Sequence, residues 1–163
     1  MKIVLVRHGQ TPANRLGALD TVRPGLGLTP EGHAQAQRLA DRWEAEVAPA
    51  PTVIALSGLQ RTRLTAAPLA RAYGLTPRVC PGIREEAGDE AVAVFVIHGA
   101  LTRLLATWLS ADINEALVST HFMSNAGTSS FEWPADLDPS SADELAKALR
   151  AVTWNDRPLD QWS

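Results

Sequence analysis

The first eleven residues, Met1-Lys2-Ile3-Val4-Leu5-Val6-Arg7-His8-Gly9-Gln10-Thr11, decide how the rest of the chain is read. Ile3 to Val6 is an unbroken apolar run without polar alternation, the pattern of a strand covered on both faces of a sheet. It stops at Arg7-His8, and Gly9 then lets the backbone turn sharply. An arginine and a histidine at the carboxyl end of a buried strand sit where open α/β sheets hold their ligands.

Two later apolar runs end in the same way. Thr52 to Leu56 leads into Ser57-Gly58, and Ala91 to Ile97 leads into His98-Gly99. Helical patterns lie between the strands. Thr29-Pro30-Glu31 reads as an N-cap with a first-turn proline and an acidic first turn, and Leu39, Trp43 and Val47 then recur every four residues up to Pro49. A second helix runs from about Leu59 to Tyr73 and closes at Gly74. A third carries Leu101, Leu104, Leu105, Trp108 and Leu109 as one apolar stripe. Short strands are predicted at Thr76 to Cys80, Gly127 to Trp133 and Leu149 to Trp154, and a short helix beyond Asp112 to about Leu117. Gln10 to Leu28, punctuated by Pro12, Gly17, Pro24, Gly25 and Gly27, reads as a long loop, which inside a compact domain is functional or mobile. Alternating strands and helices predict a three-layer α/β/α sandwich with a largely parallel central sheet.

A chain of 163 residues is long enough for one well-buried domain and too short for two of ordinary size. Its 45% hydrophobic and 20% charged residues exclude a disordered or fibrous class. A net charge of -3 gives no general attraction for nucleic acid or anionic membrane, so any anion site has to be built from a few local cations. Cys80 is the only cysteine, so no internal disulfide forms, and it reads as a small buried hydrophobe. The amino-terminal apolar run is too short for a signal peptide or a membrane span, and the cytoplasm is the expected compartment. Nothing in the sequence specifies an oligomeric state.

In a parallel sheet the ends of the three buried strands share one edge, which brings Arg7 and His8, then Arg61 beyond Ser57, then His98 toward one place. Two guanidiniums and two imidazoles beside helix amino termini form an electropositive pocket suited to a phosphoryl group, because a planar guanidinium matches two phosphate oxygens at once. Ser57 lacks the glycine flanks of a nucleophile elbow and has no evident base. A neutral His8 imidazole can attack phosphorus directly and become phosphorylated, with the surrounding cations offsetting the charge on the phosphoryl oxygens. His33 and His121 belong to no motif, Arg63 reads as a surface or ion-pairing residue, and Trp43 and Trp108 fall on helical apolar stripes. No pair of histidines has metal-ligand spacing.

Leu5-Val6-Arg7-His8-Gly9-Gln10-Thr11 with Asn14, Leu28-Thr29-Pro30-Glu31-Gly32, Ser57 to Arg63, and Val96-Ile97-His98-Gly99 resemble, in order, the motifs of the histidine phosphatase superfamily, the phosphoglycerate mutase-like proteins. Asn125 to Phe131 and Trp154-Asn155-Asp156 are similar to its last strand segments. The resemblance implies a single catalytic domain over residues 1–163, with His8 as phosphoryl acceptor. Arg7, Arg61 and His98 would hold the phosphate oxygens, Asn14 would be a further contact, and no metal or cofactor is implied. Gly82 to Gly88 is similar to the segment supplying the proton donor, with Glu85 preferred and Glu86 the alternative. The departure from the family lies near residues 88–91: Gly88-Asp89-Glu90 passes directly into Ala91-Val92, where members carry a covering lid. Either the lid is absent or a segment is missing at this junction. The expected activity is cofactor-independent hydrolysis of a small phosphorylated metabolite through phospho-His8, of the histidine acid phosphatase type. The alternatives are a phosphoglycerate-type mutase and a phosphate-binding module without turnover.

Overall fold

The computed structural model describes residues 1–20, 22–79, 90–137 and 141–162. Six strands form the central sheet in the order β3-β2-β4-β1-β5-β6. They are β1 (Lys2–Arg7), β2 (Val53–Leu56), β3 (Arg78–Val79), β4 (Val92–Ile97), β5 (Thr128–Glu132) and β6 (Arg150–Ala151). β3, β2, β4 and β1 run parallel, while β5 pairs antiparallel with both β1 and β6. The sheet is thus largely parallel, as the sequence predicts, with β5 as its antiparallel strand.

Side-chain parity along the strands divides the interior into two cores. Val4 and Val6, Ile54 and Leu56, and Val92, Val94 and Val96 face one side. They meet Leu39 and Ala40 of α2 (Pro30–Asp41) and Ala66, Leu69 and Ala70 of α3 (Gln60–Ala72). Ile3, Leu5, Ile97 and Phe131 face the other side, against Ala106 and Leu109 of α4 (Gly99–Leu109) and Val118 of α5 (Glu115–Thr120). These two helical layers flank the sheet, which explains why the central strands are apolar on both faces. The short helix α6 (Ala142–Leu145) and a small ladder of β7 (Thr153–Trp154) with β8 (Arg157–Pro158) complete the described elements beside a 3₁₀ turn at Leu159–Trp162. No helix among the described residues is long and apolar enough to cross a membrane.

Three expectations are corrected. The loop from Gln10 to Leu28 contains a helical turn, α1 (Pro12–Arg15), because Thr11 and Asn14 close a reciprocal capping box around Pro12. The stripe on α4 is rotated: Thr102 and Ala106 are fully buried against the sheet, whereas Leu104 is 65% and Leu101 38% exposed. Small side chains let the helix lie close to the strands, which moves the leucines outward and leaves Leu105 and Trp108 at the margin of the core. Leu149 to Trp154 is not one strand: β6 and β7 are separated at Val152, whose N–H bonds the Ser130 carbonyl. The predicted helix ending before Pro49 finishes as a π turn, Trp43–Val47, with Trp43 fully buried.

The amino end of α2 is pressed against the turn that follows β1. Thr29 Oγ1 caps it by accepting from the Gly32 N–H at 3.0 Å, and a Cβ on Gly32 would lie 2.2 Å from the Gln10 carbonyl oxygen. A Cβ on Gly9 would lie 2.7 Å from the Gly32 carbonyl oxygen. Backbone thus meets backbone, with no flexible side chain able to yield. Gly32→Ala should cost about 1–3 kcal/mol or more through overpacking, read as a fall of several degrees in thermal midpoint, and an unchanged midpoint would disprove the close approach.

Candidate active site

The parallel register of β1 with β4 pairs Arg7 with Ile97, so His8 and His98 emerge side by side from neighbouring strands. Their rings sit edge to face with centroids 5.3 Å apart. β2 pairs Leu56 with Val96, which places Ser57 beside the same strand end. Arg61 comes from the first turn of α3 and is only 7% exposed. Its Nε–H donates to His98 Nδ1 at 3.4 Å. The four residues read from the sequence, Arg7, His8, Arg61 and His98, therefore occupy one edge of the sheet.

His8 is 5% exposed. Its Nδ1 lies 2.8 Å from the Gly9 carbonyl oxygen, which can only accept, so Nδ1 carries the proton. That tautomer leaves the lone pair on Nε2. Burial foremost, then the positive charge of Arg61 and the proximity of His98 and Arg7, hold its pKa down to about 4 despite the Gly9 hydrogen bond. The imidazole is consequently neutral at physiological pH. His98 is also pushed below the usual histidine value, by burial and by Arg61. Nε2 of His98 lies 2.8 Å from Ser57 Oγ. With Arg61 Nε–H donating to Nδ1, Nε2 is the protonated nitrogen and Ser57 the acceptor. The partner that the sequence does not reveal for Ser57 is thus His98.

Arg7 reaches back under the site, where its Nη1 donates to the Met123 carbonyl. Its Nε is buried with no hydrogen-bond partner among the described residues. The backbone of Gly99 packs against it, since a Cβ there would lie 3.1 Å from Arg7 Nε. Burial, and then Arg103, lower the Arg7 pKa. An orphaned guanidinium N–H is costly unless an anion completes it.

Asn14 lies on the same side. Its Oδ1 accepts from the Thr11 N–H at 3.1 Å and from Asn125 Nδ2 at 3.1 Å, which fixes the amide so that its NH₂ group points elsewhere. Asn125 also donates to the His8 carbonyl at 3.0 Å and so ties the loop before β5 to the turn after β1. Thr65 of α3 performs a similar task from the opposite flank: it accepts from the Gly9 N–H at 2.9 Å and donates to the Arg61 carbonyl at 2.7 Å. The first N–H of α3 is not open to an anion, because Gln60 N donates to the Pro24 carbonyl at 2.9 Å.

The remaining sequence candidates divide clearly. His33 and Arg63 are exposed, and His121 packs on Trp162 with centroids 4.5 Å apart. Glu85, Glu86 and Cys80 lie outside the described residues. Among the described residues no three His, Cys, Asp or Glu side chains gather as a metal site. Sequence reasoning misses Ser57 as a partner of His98, Thr65 and Asn125 as braces, and Asp20, whose carboxylate lies 3.2 Å from Arg61 Nη1. Of these, Ser57 and Asn125 carry a sequence signal, each standing first in a family-like stretch, Ser57 to Arg63 and Asn125 to Phe131.

The lowered pKa predicts a measurable titration. In histidine NMR spectra the His8 ring should titrate near pH 4, well below the ordinary 6.5. The unfolded chain binds a proton on His8 below about pH 6.5 while the folded chain does not, so stability is full above 6.5 and falls toward pH 4. His8→Gln should remove on the order of 3 kcal/mol of that acid-side loss, and equal acid sensitivity in the variant would refute the assignment.

Comparison with known proteins agrees with this geometry. The profile of the histidine phosphatase superfamily (branch 1) matches residues 3–91. The chain is 48% identical over 83 residues to PE-PGRS family protein PE_PGRS11 of Mycobacterium tuberculosis, a match spanning 51% of this chain and 14% of that protein. The native structure of a mycobacterial glucosyl-3-phosphoglycerate phosphatase is similar with a TM-score of 0.70 at 20% identity, covering 94% of this chain and 98% of the other. A phosphoserine phosphatase mutant from Entamoeba histolytica, in complex with phosphoserine, is similar with a TM-score of 0.66 at 16% identity, covering 94% and 96%. At such identities these structures share the fold. Together with the ordered motifs and the profile match over more than half of its length, they make this chain a member of the histidine phosphatase superfamily.

Proposed function

We propose that the chain is a phosphomonoester hydrolase that forms, and then hydrolyses, a phosphohistidine on His8. The observation that carries the reading is the state of His8: a buried, neutral imidazole whose Nδ1–H is engaged by Gly9, flanked by Arg61, His98 and Arg7. Such a ring attacks phosphorus through Nε2 without first losing a proton. The Gly9 carbonyl then stabilises the positive charge that develops on the ring.

In the first step the P–Nε2 bond forms and the bond to the ester oxygen breaks. Arg7 and Arg61 offset the charge on the phosphoryl oxygens, and Asn14 and His98 border the same space. The departing oxygen needs a proton, and Glu85 is the proposed donor, with Glu86 the alternative. In the second step water attacks phosphorus, the same carboxylate takes its proton, and the P–N bond breaks to return neutral His8. The two steps together consume the substrate and one water, and every other group belongs to this chain.

Hydrolysis is favoured over a mutase reaction by the short connection between β3 and β4, residues 80–91, which leaves little chain for a lid that would shield a phosphoenzyme from water. On this reading the catalytic domain is a reduced one without an elaborated cap. Fold neighbours include a glucosyl-3-phosphoglycerate phosphatase complexed with inorganic phosphate and a phosphoserine phosphatase complexed with 3-phosphoglyceric acid. They support a small phosphorylated metabolite as the substrate class.

His8→Ala should lower hydrolysis of phosphomonoesters by at least about a thousandfold. Brief incubation of the native chain with substrate should trap an acid-labile phosphoryl adduct on His8. Undiminished turnover in the variant would end the proposal, and transfer between two hydroxyls without phosphate release would replace it with a mutase. Glu85→Gln should slow esters with poor leaving groups by roughly 10²–10⁴ and nitrophenyl phosphate far less. Equal slowing of both would move the donor elsewhere, with Glu86→Gln the next variant to assay.

A further inference from the structure

Arg61 is enclosed on the side away from His98 by the loop that follows α1. Its Nη1 lies 3.2 Å from Asp20 Oδ2, and its Nη2 donates to the Asp20 main-chain carbonyl at 2.9 Å. The two side chains are 9% and 15% exposed, so the pair is largely withdrawn from water. Asp20 Oδ2 is itself held by the Leu26 N–H at 2.6 Å. Gly25, at φ +78°, brings the loop so close that a Cβ there would lie 2.8 Å from Arg61 Nη1. All three guanidinium nitrogens are therefore engaged, two by Asp20 and Nε by His98.

From this arrangement we infer that Asp20 is a specificity-determining residue of the phosphate site, a fixed counter-charge that sets how much negative charge the site accepts. The inference rests on the phosphatase reading and adds a substrate class to it. Among the described residues the cations about the strand ends are Arg7, Arg61 and, beside Arg7, Arg103, while both histidines are neutral; Asp20 offsets the charge of Arg61. A phosphoryl group on Arg61 shares its guanidinium with a carboxylate a few ångströms away, in surroundings that screen charge poorly. A second anionic group on the Arg61 side of the ligand meets that carboxylate directly. The site thus favours phosphomonoesters of uncharged alcohols over those bearing a carboxylate or second phosphate near the ester, and it releases inorganic phosphate readily. A purely supporting role predicts the reverse, because loosening Arg61 weakens anion binding.

The test is calorimetric binding of inorganic phosphate, methylphosphonate and phosphonoacetate to the full chain. Asp20→Asn should bind phosphate about tenfold tighter than the native protein, with a larger gain for phosphonoacetate than for methylphosphonate, whereas Asp20→Glu should stay near the native affinity. Phosphate binding that is unchanged or weaker in Asp20→Asn overturns the inference and leaves Asp20 a brace for Arg61. Should Asp20→Asn fail to fold, Asp20→Ser and the native protein decide: the native chain should bind phosphonoacetate more weakly than methylphosphonate, and the opposite order overturns the inference. A native chain that binds none of the three probes refutes the phosphate-site reading itself, and the Asp20 inference with it.

Discussion

The register between β1 and β4 is the constraint on which everything else depends. Pairing Arg7 with Ile97 puts two residues ninety positions apart in the chain, His8 and His98, at adjacent strand ends. A one-residue slip would turn His98 to the opposite face of the sheet and exchange its whole set of core side chains. The slip is prevented by the two-sided core, because Val4 and Val6 match the α2 and α3 layer while Ile3 and Leu5 match the α4 layer. The packing energy of ordinary aliphatic side chains therefore holds the geometry of the site.

Around that register the site solves an electrostatic problem. Two guanidiniums converging in a poorly hydrated place repel each other and lose solvation. The fold answers with carbonyl oxygens and one carboxylate: Met123 O on Arg7, and Asp20 on Arg61. The histidines answer by remaining neutral, each ring held by a hydrogen bond that fixes which nitrogen carries the proton. Among the described residues, Arg7 Nε keeps an unanswered donor in the buried part of the site.

The strand ends were legible in the sequence because the signals are local and strong. An apolar run that stops at Arg-His-Gly marks a strand and the edge at which Arg7 and His8 emerge, and family likeness supplies the expectation of a phosphate site there. Helix positions followed from caps and spacing, as Thr29 and Pro30 show at α2. The facing of α4 was not legible, because leucine spacing gives a stripe but not which neighbours are small enough to let it approach; Thr102 and Ala106 decide that. Asp20 and Thr65 were hidden for a different reason. Each acts through a contact with a residue some forty or more positions away, Arg61 or Gly9, and nothing in its own neighbourhood announces that contact.

The far end of the chain has a part in all this that its distance conceals. Asn155 Oδ1 accepts from the Ser124 N–H at 2.8 Å, and Asp156 Oδ1 takes the N–H and hydroxyl of Thr128 together with Arg42. These bonds shape the segment from which Asn125 grips the His8 carbonyl. The histidine and the tight turn at Asn155 and Asp156 are remote from each other in sequence, so the mount of His8 is complete only once the two stretches have folded together.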